Sequence, residues 1–175
     1  MKTTAILEDR RAALCVLTGA PLAAAALVAG TGFARAKMPP GEYAKMTAKA
    51  GLFTKTLAEL ALQRAKAAPV RTFAQLEIGE VKALEEIVAA LGVQPPARLD
   101  AAHAAMIDEL RGLDGMAFDR RFVEMQMLGH RKALEIQQPM AARAAVDVPV
   151  ATAKVATESI KSHMATLEMI EAKLA

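Results

Sequence analysis

The sequence contains few aromatic residues and a single cysteine, and both shortages limit what it can encode. Aromatic side chains make up 3% of the chain and tryptophan is absent, whereas hydrophobic residues make up 54%. Ala, Leu and Met favour helices, and aromatic and β-branched residues favour strands, so this composition predicts an all-α protein. Cys15 has no second cysteine to pair with. The 175 residues suffice for one hydrophobic core, and packing must stabilise it.

The chain has little excess of positive over negative charge after residue 36. Of the net charge of +3, residues 1–36 carry +2, which leaves +1 for residues 37–175. Lys and Arg alternate with Asp and Glu in this second part, so no basic stripe is available to follow a phosphate backbone, and aromatic stacking platforms are missing. We therefore expect no nucleic-acid partner.

The first 36 residues have the three parts of a secretory signal peptide. A polar start ends at Arg10 and Arg11, an apolar run covers residues 12–32, and small residues occupy both ends of the Ala34–Ala36 segment. The arginine pair resembles a twin-arginine export signal. We expect cleavage near Ala36-Lys37 and a periplasmic or secreted mature chain with no stable membrane span. An uncleaved membrane anchor is the alternative.

Hydrophobic residues in the mature chain recur at the three- and four-residue spacing of amphipathic helices. We predict long helices from Tyr43 to about Ala67, from Pro69 to Gly92, from Asp114 to a kink or end at Pro139, and from Val150 to about Leu174. A short connector helix, capped by Asp100 and ended by Gly112, is predicted between the second and third. These helices predict one domain, an antiparallel up-and-down four-helix bundle.

Four polar side chains fall on or beside the hydrophobic stripes of these helices. Glu77 and Glu80 lie on the stripe of the second helix, His163 lies on that of the fourth, and His130 flanks that of the third. Carboxylates and imidazoles are costly to bury unless they are paired or bind a cation. We therefore expect these residues to neutralise one another, hold water or coordinate a cation, and combined His and carboxylate ligands suit iron, manganese or zinc.

Two alternatives to this metal site remain open. The stripe of the second helix can be rotated to favour Ile78 and Val81 instead. The two glutamates can also be salt-bridged to Lys or Arg, with His163 as a hydrogen-bonded core residue and no metal bound.

Several segments of the mature chain carry a family resemblance. They are ALQRAKAAPVRTFAQ at Ala61–Gln75, GVQPP at Gly92–Pro96, FDRRF at Phe118–Phe122, and the histidines His130 and His163. From Ala48 to about Ala172 the chain resembles the bacterial family catalogued as domain of unknown function four-one-four-two, a ferritin-like group of mostly exported proteins.

The resemblance implies a ferritin-like four-helix bundle with polar residues able to bind metal, and it brings no established activity. A glutamate usual in the first helix of the family stands here as Thr54, and an acidic–His pair stands as Glu80-Val81. His130 and His163 match the family pattern. The resemblance therefore implies a single metal site or none, rather than a complete di-metal centre.

Two functions are compatible with these observations. The mature chain offers no nucleophile–base pair, Gly-rich phosphate loop or cysteine, so we expect a non-enzymatic role. The first interpretation is an exported binding module or a stress-associated structural module. Such a module could form a homo-oligomer, and the sequence does not identify a protein partner. The second is a metal-binding or metal-dependent redox protein that uses Glu80, His130 and His163, with Glu77 as a fourth ligand or as a partner of a ligand.

Overall fold

Five α-helices make up most of the computed structural model, which describes residues 38–175. They are α1 (Pro40–Arg64), α2 (Ala68–Ala90), α3 (Ala101–Arg111), α4 (Gly115–Ala141) and α5 (Val148–Leu174). Residues 38–175 contain no strand, which confirms the all-α prediction. The predicted signal peptide, residues 1–36, lies outside the described residues.

The boundaries of three helices differ from those predicted. α1 begins at Pro40 and ends at Arg64, because the chain turns back into α2 within three residues. Pro139 does not end α4, which continues to Ala141. A proline this close to a helix end disrupts only one backbone hydrogen bond, so the last turn persists. α5 begins two residues early, at Val148.

The predicted helix-end signals at Asp100 and Gly92 are present, and Asp147 is a further N-cap that the sequence analysis did not predict. Asp100 caps α3, since its side chain accepts a hydrogen bond of 2.9 Å from the backbone N–H of His103. Asp147 caps α5 in the same way, by accepting from Val150 at 3.0 Å. Gly92 follows α2 with φ +79°, a left-handed conformation that glycine adopts at no steric cost.

Packing between the helices is uneven. α1 packs along α2 and α4, α4 packs along α5, and α3 touches α1 and α4, whereas α2 and α5 approach each other at only a few places. The main core contains Phe53, Leu57, Phe118, Phe122 and Leu167, all less than 4% exposed. The polar cluster described below bridges α2 and α5.

The tight turn between α1 and α2 is held by a carboxylate from α4. Asp119 is fully buried and accepts backbone hydrogen bonds from Lys66 at 3.2 Å and from Ala67 at 2.7 Å. Arg71 donates to the carbonyl oxygens of Ala65 and Lys66 at 2.9 and 2.7 Å. Backbone groups that helix ends leave unpaired are thus satisfied by side chains. The ALQRAKAAPVRTFAQ and FDRRF segments therefore have a structural role at this turn.

The face that α2 buries differs from the predicted stripe. Glu77 is buried as predicted, but the side chain of Glu80 is 43% exposed. Ile78 and Val81 are both buried, as in the rotated alternative. The prediction that Glu80 lies on the core-facing side of α2 was wrong. α2 packs mainly on α1, and the face of α2 that this packing buries does not include Glu80.

Among residues 38–175, no helix is both long and apolar enough to cross a membrane.

Candidate metal centre

Three helices bring one carboxylate and two imidazoles to a common point. Glu77 Oε2 of α2 lies 3.3 Å from His130 Nε2 of α4 and 3.0 Å from His163 Nδ1 of α5. The two imidazole nitrogens are 3.1 Å apart. These three residues form the Glu/His cluster, whose donor atoms could hold a metal ion.

Glu80 contacts the outer nitrogen of one cluster histidine. Its Oε2 lies 3.1 Å from His163 Nε2, and its Oε1 accepts a hydrogen bond of 2.6 Å from the Ser159 hydroxyl. Glu80 therefore fixes the orientation of the His163 ring, while Ser159 fixes that of Glu80. Carboxylates in this position commonly orient metal-binding histidines.

The cluster is shielded from water. The side chains of Glu77 and His130 are each 4% exposed, and that of His163 is 17% exposed. The Phe73 ring of α2 packs against both imidazoles, with ring centroids 5.9 Å from His130 and 5.3 Å from His163. A carboxylate in such surroundings needs close electrostatic partners.

The hydrogen bonds of His130 determine which of its nitrogens can bind a ligand. Its Nδ1 lies 2.8 Å from the Gln126 carbonyl oxygen. A carbonyl only accepts, so Nδ1 carries a proton, and Nε2 is the nitrogen that faces Glu77 and His163. Histidines that bind metal are commonly held in one tautomer in this way.

The electrostatic balance at Glu77 favours its ionised form. Burial would raise the pKa of this carboxyl group, but hydrogen bonds to His130 and His163 outweigh burial and hold the pKa well below its usual value. Hydrogen bonding to His163 similarly lowers the pKa of Glu80, against the opposing effect of burial. Both carboxylates are therefore ionised at neutral pH.

His163 responds in the opposite direction. Burial would lower the pKa of its imidazole, but hydrogen bonds to Glu77 and Glu80 raise it from 6.5 to about 9. The metal-free cluster consequently holds a proton on His163 at neutral pH. That proton occupies the place where a cation could bind.

The structure places all four residues of the predicted site together, but the two glutamates exchange the positions that were expected for them. Glu77, expected as a fourth ligand or a partner of a ligand, lies at the centre between the two histidines. Glu80, expected as a ligand, sits on the outer side of His163. The glutamates contact these histidines instead of the Lys or Arg of the salt-bridged alternative.

Sequence reasoning missed three residues that support the cluster. Gln126 offers the carbonyl that orients His130, and its side-chain amide donates to the Thr54 carbonyl oxygen at 2.9 Å. Phe73 and Ser159 were not singled out as partners of the histidines. Helical spacing could have found two of them, since Gln126 precedes His130 by four residues and Ser159 precedes His163 by four.

The donor set fits a single transition-metal ion. Zinc binds nitrogen and oxygen ligands at about 2.0–2.2 Å, which separates neighbouring donors of a tetrahedral site by roughly 3.3–3.6 Å. The three cluster donors lie 3.0–3.3 Å apart, so small side-chain shifts suffice. Two imidazoles and a carboxylate suit zinc, iron(II) and manganese(II).

Fold and site together define an all-α protein with a buried carboxylate–imidazole cluster between three helices. The model of the family described as Domain of unknown function (DUF4142) matches residues 29–171, so the chain belongs to that family. No curated protein and no solved structure matches the chain.

Proposed function

We propose that this is an exported metal-binding protein in which Glu77, His130 and His163 bind one divalent transition-metal ion. Iron, manganese and zinc are the ions that this donor set suits. Glu80 orients His163 from outside the metal site. The fold that presents these residues is a ferritin-like, up-and-down bundle of the four long helices, with α3 as a connector.

The observation that carries this proposal is the convergence of three ligand atoms from three helices. Because Nδ1 of His130 donates to a carbonyl, its Nε2 is the nitrogen that faces the ionised carboxylate of Glu77. A cation in the same place would satisfy all three donor atoms together.

The helix lengths support the bundle. α1, α2, α4 and α5 contain 25, 23, 27 and 27 residues, whereas α3 contains 11. The cluster draws its residues from three of the four long helices, as bundle metal sites do.

A single ion fits better than a pair of ions. Thr54 and Val81 line the cavity beside the cluster, at the positions where the family resemblance places further polar ligands. A methyl-bearing side chain at Val81 cannot bind a metal, and the neutral Thr54 hydroxyl is a poor substitute for a carboxylate. When bound, the ion would supply Lewis acidity or, for iron or manganese, electron transfer.

The decisive experiment is elemental analysis of the protein purified from a host that expresses the full-length gene. We expect one equivalent of metal in the wild type and none in a Glu77→Gln/His163→Gln double variant. A Glu86→Gln/His103→Gln variant is the matched control, because Glu86 is exposed on α2 and His103 lies on α3. Absence of metal in the wild type, after reconstitution with zinc, iron(II) and manganese(II), would refute the proposal.

Calorimetry gives an independent test of the same site. Since His163 holds a proton at pH 7, metal binding should release about one proton per ion. Titration of the metal-free protein in two buffers with different ionisation enthalpies measures this number. A value of zero would contradict the assignment of His163 as a ligand.

The variant Glu80→Gln distinguishes the role of Glu80 from that of Glu77 in metal binding. Loss of a carboxylate that orients a ligand typically lowers metal affinity about 10- to 100-fold without abolishing binding. Equal losses for Glu77→Gln and Glu80→Gln would instead make both residues direct ligands.

Export is a separate part of the proposal. It is supported by the three-part pattern of residues 1–36. N-terminal sequencing of the protein from a periplasmic fraction should begin at Lys37. A protein that retains residue 1 and stays in the cytoplasm would overturn this part alone.

A surface feature favours a second candidate function, a structural module that acts by self-association. Leu76 of α2 is 64% exposed and Met169 of α5 is 60% exposed, and both line one groove between these helices. Light scattering on a sizing column should reveal a homo-oligomer that Leu76→Gln/Met169→Gln dissociates. A monomeric wild type would exclude this candidate.

A further inference from the structure

Two surface concavities lie side by side along α1, and the Glu/His cluster lines neither of them. The first is a groove of about 460 Å³ between α1 and α4. The second is a pocket of about 480 Å³ between α1 and the segment that joins α2 to α3. Both are lined by Lys49, so they are neighbours. Their volumes are in the range of about 300–1,000 Å³ that is typical of small-molecule sites.

The groove has a mainly apolar lining. Met46 and Phe53 of α1 line it from one side, and Leu128 and Ile136 of α4 line it from the other. Met46 is 38% exposed and Leu128 is 43% exposed, so large apolar side chains face water here on both helices. Apolar surface that is gathered around a groove indicates a binding site more strongly than the same surface scattered over the protein.

The charged side chains at this groove are cationic. Lys49 of α1 and Lys132 of α4 line it, and none of the described residues that line it is acidic. Lys132 contacts Glu135 at 3.1 Å, but these two side chains are 64% and 63% exposed, so the pair contributes little. An apolar groove with a positive rim is complementary to a molecule that has an apolar chain and one negative group.

The neighbouring pocket has a net positive charge. Lys45, Lys49 and Arg98 line it together with one carboxylate, that of Asp100. Asp100 is engaged in the fold, because it caps α3 and forms an ion pair of 2.7 Å with Lys49. Lys45 and Arg98 are exposed and add the positive charge that an anion needs. The planar guanidinium of Arg98 suits a carboxylate in particular, which it can bind with two parallel hydrogen bonds.

The GVQPP segment forms one wall of this pocket. Gly92, Val93, Gln94 and Pro96 all line it. The left-handed conformation of Gly92 turns the chain out of α2, and the fixed φ angles of the two prolines restrict the path that leads to Arg98. This segment therefore holds Arg98 and the lysines of α1 around one pocket.

We propose that the groove and the pocket together bind one single-chain anionic amphiphile, of the class of medium-chain fatty acids. The alkyl chain occupies the groove, and the carboxylate lies between Lys45 and Arg98. From Leu128 to Ile136 the groove extends for about 12 Å along α4. An extended alkyl chain advances about 1.25 Å per carbon–carbon bond, so roughly ten carbon atoms fill the groove.

Isothermal titration calorimetry with decanoate tests this site on the protein produced from its full-length gene. A chelator is present throughout, because neither concavity involves the proposed metal site. We expect saturable binding of one decanoate per chain, and each methylene group added between hexanoate and decanoate should strengthen binding about two- to fourfold. Decanol, which has the chain without the charge, should bind about tenfold more weakly.

Two variants test the apolar part of the site. Leu128→Glu places a carboxylate in the groove and should weaken decanoate binding at least about tenfold, since it repels the ligand and disfavours an alkyl chain beside it. Val155→Glu is the matched control, because Val155 is 73% exposed on α5 and lines neither concavity. Its affinity for decanoate should equal that of the wild type.

A second pair of variants tests the cationic part. Lys45→Gln/Arg98→Gln should weaken decanoate binding about tenfold and leave decanol binding unchanged. The control Lys82→Gln/Lys154→Gln makes the same change in net charge at exposed positions of α2 and α5, and it should bind decanoate normally. All these side chains are exposed, so the Lys45/Arg98 variant remains informative if Leu128→Glu does not fold.

Four outcomes would overturn the inference. They are an absence of saturable decanoate binding, an equal affinity for decanol, an equal effect of Leu128→Glu and Val155→Glu, and an equal effect of the two double variants. A second copy of the chain is the competing occupant of the groove. A dimer in sedimentation that Leu128→Glu dissociates, and that decanoate does not disturb, would assign the groove to that copy instead.

Discussion

Raising the pH from 6 to 9 should destabilise the metal-free protein through a single residue, His163. Folding raises the pKa of His163 from 6.5 to about 9, because its hydrogen bonds to Glu77 and Glu80 outweigh the opposing effect of burial. A group whose pKa is raised by folding stabilises the native state most below its unfolded pKa. That stabilisation is lost as the pH rises through the folded value.

The size of the loss follows from the two pKa values. One pKa unit corresponds to about 1.4 kcal/mol, and integrating the linkage relation from pH 6 to pH 9 gives a decrease of about 3 kcal/mol in the free energy of unfolding. With a urea m-value of about 1.5 kcal/mol/M, the unfolding midpoint should fall by about 2 M. The His163 side chain is 17% exposed, so solvent screens this interaction only in part.

Urea unfolding in the presence of a chelator measures this effect. The groups that face His163 are Glu77, Glu80 and His130, and the pKa of each glutamate is lowered, which keeps both ionised over this range. A His163→Gln variant should show nearly constant stability between pH 6 and 9. If the midpoint of the wild type does not fall, or if His163→Gln falls equally, the electrostatic reasoning about the cluster is wrong.

Two further predictions concern packing and hydrogen bonding away from the cluster, and urea unfolding tests both. Asp119→Ala should cost about 2–4 kcal/mol, because it leaves buried backbone N–H groups of the α1–α2 turn without partners, whereas the exposed Asp108→Ala should cost less than about 0.5 kcal/mol. Equal effects would remove the structural role of Asp119. Gly129→Ala would place its Cβ 2.8 Å from the Thr54 methyl group and should cost about 1–3 kcal/mol. The control is Gly79→Ala, whose Cβ meets nothing within 4 Å and which should stabilise α2 by about 0.5–1 kcal/mol. If Gly129→Ala were also stabilising, the close packing of α1 on α4 would be contradicted.

The fold class could be predicted because the spacing of hydrophobic residues is set by helix geometry alone. The end of α1 could not, since it depends on a tertiary contact. The backbone N–H groups of Lys66 and Ala67 are satisfied by Asp119, which lies more than fifty residues away. Pro139 was predicted to kink or end α4, but the helix continues to Ala141, because so close to the helix end the missing proline N–H affects only the last turn.

The site could be predicted in its members but not in its arrangement. Helical projection placed Glu77 and Glu80 on one stripe, although they are separated by three residues and so differ by about 60° around the helix axis. Only the packing of α2 against α1 decides which of the two turns inward. The spacing of His130 from its carbonyl partner was available in the sequence, but backbone acceptors are not visible in a pattern of side chains.

The cluster has two ways to balance its charge, and they exclude each other. In the metal-free state the proton on His163 offsets one of two neighbouring carboxylates, and His163 Nδ1 lies 3.0 Å from Glu77 Oε2 and 3.1 Å from His130 Nε2. A divalent cation replaces that proton, offsets both carboxylates and uses every donor. High pH should therefore weaken the metal-free fold and at the same time favour metal binding, because the same proton opposes the ion and stabilises the empty site. A purely structural Glu/His cluster shares only the first of these responses, so the sign of the pH dependence of metal affinity distinguishes the two functions.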